Sequence, residues 1–184
     1  MASHATLART VTFTAEENAL DYLRNACSLS KQALFRSVRW KWCVIALHGA
    51  VYGFAVCASY GTNYQSVLKD DGKLISFWDA LKMSGLVLLP SEEDSIRRLT
   101  KVLRNPFEHF IPMSWTVEIH GMPRIAANVL AVAQKLAGLG QTPRRLGPQT
   151  MRGIDLLVRR TTRRLLGSRL HHESAPGSGS PNRT

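Results

Sequence analysis

The chain has 184 residues, enough for one domain with a real hydrophobic core and too few for two of ordinary size. Its 24 lysines and arginines against 13 carboxylates give a formal charge of +11, which points to a polyanionic partner, nucleic acid or an anionic membrane surface. Cys27, Cys43 and Cys57 are odd in number and form no Cys-x-x-Cys pair, so neither a disulfide framework nor a structural zinc site is expected.

A reducing, cytoplasmic setting fits that cysteine usage, and residues 1–11 hold no apolar run of secretory length. Thr14-Ala15-Glu16-Glu17 has the form of a capping box. Leu20, Leu23, Cys27, Ser30 and Leu34 follow at helical spacing, which predicts a core-packing helix over about 15–35. From Trp42 to Tyr60 the chain carries no formal charge, with Arg39 and Lys41 before it and Gly49-x-x-x-Gly53 inside it. Length, flanking charge and the close-packing glycines suit a membrane span. The same features suit the buried central helix of a bundle, with the glycines admitting a neighbouring helix or a second subunit. His48, Ser59 and two tyrosines favour the bundle, and His48 is then read as a satisfied core or interface histidine.

Gly61 to Lys73 reads as a loop. Ser76-Phe-Trp-Asp79 opens a short capped helix to about Met83, and Ser91-Glu92-Glu93-Asp94 opens another whose apolar side is Ile96, Leu99, Val102 and Leu103. That helix delivers the chain to Arg104-Asn105-Pro106-Phe107-Glu108-His109. Positions five apart do not share a face on a straight helix, but Pro106 disfavours helix at Asn105 and favours a fresh start at itself. Asn105 is then expected as an N-cap with Glu108 closing a capping box, Arg104 just before it and His109 one turn in. A guanidinium beside free helix-start N–H groups suits a phosphate ester. On residue types alone the plainer reading is favoured, with Arg104 paired to an acidic side chain and His109 a surface or cap histidine.

After Pro112, Trp115, Val117 and Ile119 alternate with polar residues as in a short extended segment, and Arg124 to about Leu139 reads as the last core helix. Residues 141–184 hold nine arginines against Asp155 and Glu173. Met151, Ile154, Leu157, Val158, Leu165 and Leu166 recur at helical spacing with Arg152, Arg159, Arg160, Arg163 and Arg164 between them, a basic amphipathic helix. It can bind RNA, lie on a membrane or pack on the domain. The Gly/Ser/Pro-rich residues 173–184 are expected to be disordered.

The Arg104–His109 pattern, with Asn105 behind the arginine and a helical scaffold upstream, resembles the motif of the HEPN superfamily, compact helical domains carrying Arg-x(4 to 6)-His. The resemblance covers about residues 12–140. It implies an all-α, HEPN-like bundle of four to five helices, with an irregular or extended segment after the motif. Residues 1–11 would be a tail and 141–172 a basic extension. The implied activity is metal-independent RNA cleavage by a toxin or phage-defence effector, without cofactor or metal. Arg104, His109 and Asn105 would be its catalytic residues, a homodimer its working form and an antitoxin a possible partner. RNA supplies its own 2'-hydroxyl nucleophile, so proton transfer by His109 and charge stabilisation by Arg104 suffice. One histidine cannot be acid and base in one step, which argues for a second subunit's His109 nearby. Two other readings stay open: a non-catalytic helical module binding RNA or protein, and a single-span membrane protein. A membrane is not expected among the partners.

Overall fold

The computed structural model describes residues 10–108, 114 and 116–172. Among them the chain is all-helical, without strands: α1 (Ala15–Ala33), α2 (Arg39–Tyr60), α3 (Phe77–Met83), α4 (Pro90–Arg97), a π-helical segment Arg98–Arg104, α5 (Asn105–Glu108), α6 (Met122–Ala137), α7 (Thr142–Leu166) and α8 (Arg169–His172). His109, Pro112 and Trp115 lie outside the described residues. Residues 116–119 carry no regular secondary structure.

The predicted capping box starts α1: the Glu17 backbone N–H donates to Thr14 Oγ1 at 3.1 Å, and the Thr14 N–H donates to the Glu17 carboxylate at 3.0 Å. Ala19, Leu20, Leu23, Ala26, Cys27 and Ala33 are buried at three- and four-residue spacing, and this stripe lies against α2. The uncharged stretch forms the central helix. Although α2 is long and apolar enough to cross a membrane, most of its apolar side chains between Trp40 and Cys57 are buried, by α1 on one side and α6 on another, with Trp42 left exposed.

Its glycines serve α1 inside the same chain. Gly49 faces the Tyr22 ring and Gly53 faces Ala19, while the Cys43 thiol points to the Ala26 carbonyl at 3.8 Å, so the two helices run antiparallel at close range.

The Ser76 hydroxyl caps α3 as predicted, accepting from the Asp79 N–H at 3.2 Å. Pro90 opens α4, one residue earlier than the acidic run suggests, since proline suits the first helical position. Glu92 is buried and held by Lys135 of α6 at 2.7 Å, which fixes α4 to α6. Breaking that pair would leave an uncompensated charge inside the bundle.

The basic extension is α7. A kink at Gly147 (φ 78°) and Pro148 turns it along α1 and α6, where Ile154, Val158 and Leu165 are buried. Arg145 contacts the Glu16 carboxylate (2.9 Å), the Tyr60 hydroxyl and the Gly61 carbonyl (3.1 Å), joining the starts of α7 and α1 to the end of α2. Farther along, the Thr161 hydroxyl faces the Cys27 thiol, so α7 runs in the same direction as α1. Arg152, Arg159, Arg160, Arg163 and Arg164 are all exposed on its outer side.

Candidate functional site

Helix α4 passes without a break through the π turn into α5, and Asn105 is itself helical (φ −58°, ψ −49°). The expected N-cap at Asn105 and capping box to Glu108 are therefore not formed. A proline within a helix removes one donor, and its ring crowds the carbonyl four residues back. The turn just before Pro106 is widened to i→i+5 spacing, which gives that ring room. Because the helix continues through Asn105, residues four apart share a face here. Glu108 reaches back to Arg104 one turn away, and the two form an ion pair, both about one-third exposed. The Asn105 side-chain oxygen accepts from Arg104 Nη1 at 3.4 Å. Arg104 Nε is buried and, among the described residues, has no hydrogen-bond partner. Such an orphaned donor is uncommon and is a ready contact for a ligand oxygen.

Arg104 and Glu108 close one side of a pocket of about 390 Å³ whose other walls come from α1, α2 and the loop after α2. Tyr22, His48, Tyr52 and Leu74 line it. Sequence reasoning left His48 in the core, yet its ring faces the motif. It stacks on Phe77 of α3, with ring centres 4.8 Å apart and planes within 19°. Burial first, and the Arg104 guanidinium second, push His48 down to about 4 against the opposite pull of Glu108. His48 is accordingly neutral at pH 7. Tyr52, one turn along the same face, donates its hydroxyl to the Ile75 carbonyl at 2.5 Å, fixing the loop that carries Leu74 to the pocket.

The placement of His48 beside Arg104 had only a faint sequence signal, a histidine and a tyrosine four apart in an otherwise uncharged helix. Which way that face points depends on how the π-helical segment packs on α2, and nothing local to residues 42–60 encodes it.

Arg104 and Asn105 are thus brought together, with Glu108 and His48 as the neighbours the sequence did not supply. His109 follows Glu108 directly and is outside the described residues. The arginines Arg152, Arg159, Arg160, Arg163 and Arg164 are carried by α7, and none lines this pocket. Arg159 is paired to Asp155 at 3.0 Å.

A larger cavity of about 590 Å³ surrounds Glu16, Tyr60 and Arg145. There the carboxylate, phenol and guanidinium already satisfy one another, so it reads as a joint of the fold. Among the described residues, no three His, Cys, Asp or Glu side chains are grouped so as to hold a metal ion. No protein-family model, curated protein or solved structure matches the chain.

Proposed function

We propose that this protein is a HEPN-like endoribonuclease that cleaves RNA by attack of the 2'-hydroxyl on the adjacent phosphate, leaving 2',3'-cyclic phosphate ends without a metal ion. The observation that carries the reading is the pocket in which Arg104, with an orphaned Nε–H, stands beside a neutral histidine. The motif resemblance supports it from the sequence side. Phosphate oxygens would take the Arg104 Nε–H and the guanidinium edge now engaged by Glu108, and this contact strengthens as charge builds on the phosphorus-bound oxygens.

Two proton transfers are needed, one from the 2'-hydroxyl and one to the leaving 5'-oxygen. His109 provides one histidine and His48 a second in the same chain, where sequence alone looked to a partner subunit. His48, neutral but made a weaker base by its burial, is assigned the 2'-hydroxyl proton, and His109 the leaving group. Asn105 steadies the guanidinium. Pairing of two such chains, and service as a toxin or phage-defence effector with a cognate antitoxin, belong to the same reading.

A second reading has its own support. The Arg104–Glu108 ion pair already satisfies much of the guanidinium, as in a helical module that binds RNA or protein through the arginines of α7 without cutting. Incubation of the purified protein with cellular RNA in excess EDTA separates the two. Cleavage abolished in both Arg104→Ala and His109→Ala, with folding retained, is the expected result. RNA binding without cleavage, lost when Arg159, Arg160, Arg163 and Arg164 are neutralised, would favour the module.

A further inference from the structure

One end of the bundle combines bare apolar side chains with a concentration of positive charge. The connection from α1 to α2 presents Phe35 at 86% exposure and Val38 at 78%, and Trp42, one helical turn after Val38 on the same face, at 52%. Interleaved with them are Arg36, Arg39 and Lys41, the last lying 5.1 Å from the Trp42 ring centre. Between Asp21 and Asp70 the sequence has no carboxylate at all. Because α7 runs parallel to α1, its end comes to the same side, bringing exposed Arg163, Arg164 and Leu166 and then Arg169 of α8, again with no carboxylate between Asp155 and Glu173. The wall behind Val38 and Trp40 is Phe107, Val117 and Ile119, a shallow apolar groove of about 360 Å³. Glu118, between Val117 and Ile119, is an exposed carboxylate beside this wall.

We infer that this end is a docking surface for an anionic lipid bilayer, entered by Phe35, Val38 and Trp42 and held by the surrounding arginines and lysine. Water is a poor environment for three large apolar side chains within eight residues, and none of them contributes to the core from where it stands. Long basic side chains can lie along acyl chains while their charges reach headgroup phosphates. A tryptophan at the rim of such a patch suits the interfacial layer. RNA would account for the cations and for stacking on Trp42, but a branched aliphatic such as Val38 offers no face to stack on, and a bilayer uses it fully. The contact is at the tip of a helical hairpin. It leaves α2 in the core and the Arg104 pocket free, and it stands independently of what that pocket does.

The test is co-sedimentation of the full chain with phosphatidylcholine vesicles, with and without phosphatidylglycerol, for wild type, Phe35→Ser/Val38→Ser and Arg36→Glu. Each replaced side chain is exposed, and circular dichroism and thermal melting confirm that the variants fold. The wild type is expected to bind vesicles containing phosphatidylglycerol and to be released by high salt. The apolar double variant is expected to bind roughly tenfold more weakly or worse, since each side chain loses its burial in lipid. Arg36→Glu is also expected to weaken binding, more at low salt than at high salt. Absence of wild-type binding, binding indifferent to phosphatidylglycerol, or binding retained in Phe35→Ser/Val38→Ser would overturn the proposal. So would a double variant that loses affinity for single-stranded RNA while keeping its affinity for vesicles, which would make the tip an RNA surface.

Discussion

Replacing Gly53 by alanine tests whether the close approach of α1 and α2 is what the glycines provide. Two effects oppose each other. Alanine in a helix interior is favoured over glycine by about 1 kcal/mol through backbone entropy. Against that, a Cβ on Gly53 would stand 2.8 Å from Ala19 Cβ and 3.2 Å from Ala19 Cα. Carbon atoms in good contact are roughly 3.5–4.0 Å apart, so the helices must part by several tenths of an ångström at least. Ala19 is fully buried and its Cα is backbone, so the strain cannot be relieved by one side chain turning away. Overpacking of this kind costs roughly 1–3 kcal/mol, and the clash is expected to win, leaving Gly53→Ala less stable by about 1 kcal/mol. Urea unfolding followed by circular dichroism should show the midpoint lowered by roughly 0.5 M at unchanged slope. Gly49→Ala is the control, since its new Cβ meets the ring of Tyr22, a side chain at the surface that can swing outward. Its loss should be smaller. A Gly53→Ala protein as stable as wild type or more so would refute the packing argument.

Acid should weaken the fold through His48. Folded protein keeps that ring neutral down to about pH 4, whereas the unfolded chain protonates it near 6.5, so the unfolded state binds the extra proton in between. Stability is then complete above about pH 6.5 and falls as pH drops toward 4, by about 3 kcal/mol in all; His48→Phe, stacked on Phe77, should flatten that slope in urea titrations across the range. By NMR titration the His48 pKa should rise in Arg104→Ala and fall in Glu108→Gln, because the two charges pull in opposite directions. Glu108→Gln should also bind RNA more tightly by filter binding, as the carboxylate competing for the Arg104 guanidinium is gone; weaker binding would make Glu108 a positioning residue instead. Neutralising Arg159, Arg160, Arg163 and Arg164 should lower RNA affinity and reduce its dependence on salt, whichever reading of the pocket holds.

Much of the helical framework is legible in the sequence because its signals are local. Thr14 and Glu17 announce α1, Ser76 announces α3, and the even apolarity of α2 matches a helix covered on several sides. The Arg104 region was misjudged in detail because the rule that disfavours helix before proline competes with a second solution, widening the preceding turn, and only packing of α4 on α6 selects between them. Glu108 accordingly meets Arg104 instead of capping. His48 was missed for a different reason. Its role depends on α2, α3 and the π turn converging, a long-range arrangement that the spacing of residues within α2 does not carry. The arginines of α7 were found by periodicity, and the structure places them on its outer side, away from the pocket.

The central claim is that the ribose itself supplies the nucleophile at the Arg104 pocket. The most direct measurement compares cleavage of an RNA oligonucleotide with that of the same oligonucleotide carrying a single 2'-deoxyribose at a cleaved linkage, in excess EDTA, with product ends identified by mass spectrometry. Cleavage is expected to vanish at the deoxy linkage alone, with 2',3'-cyclic phosphate at every other cut. Cleavage at the deoxy linkage, ends carrying a 5'-phosphate, or a folded protein that cuts neither substrate would contradict it.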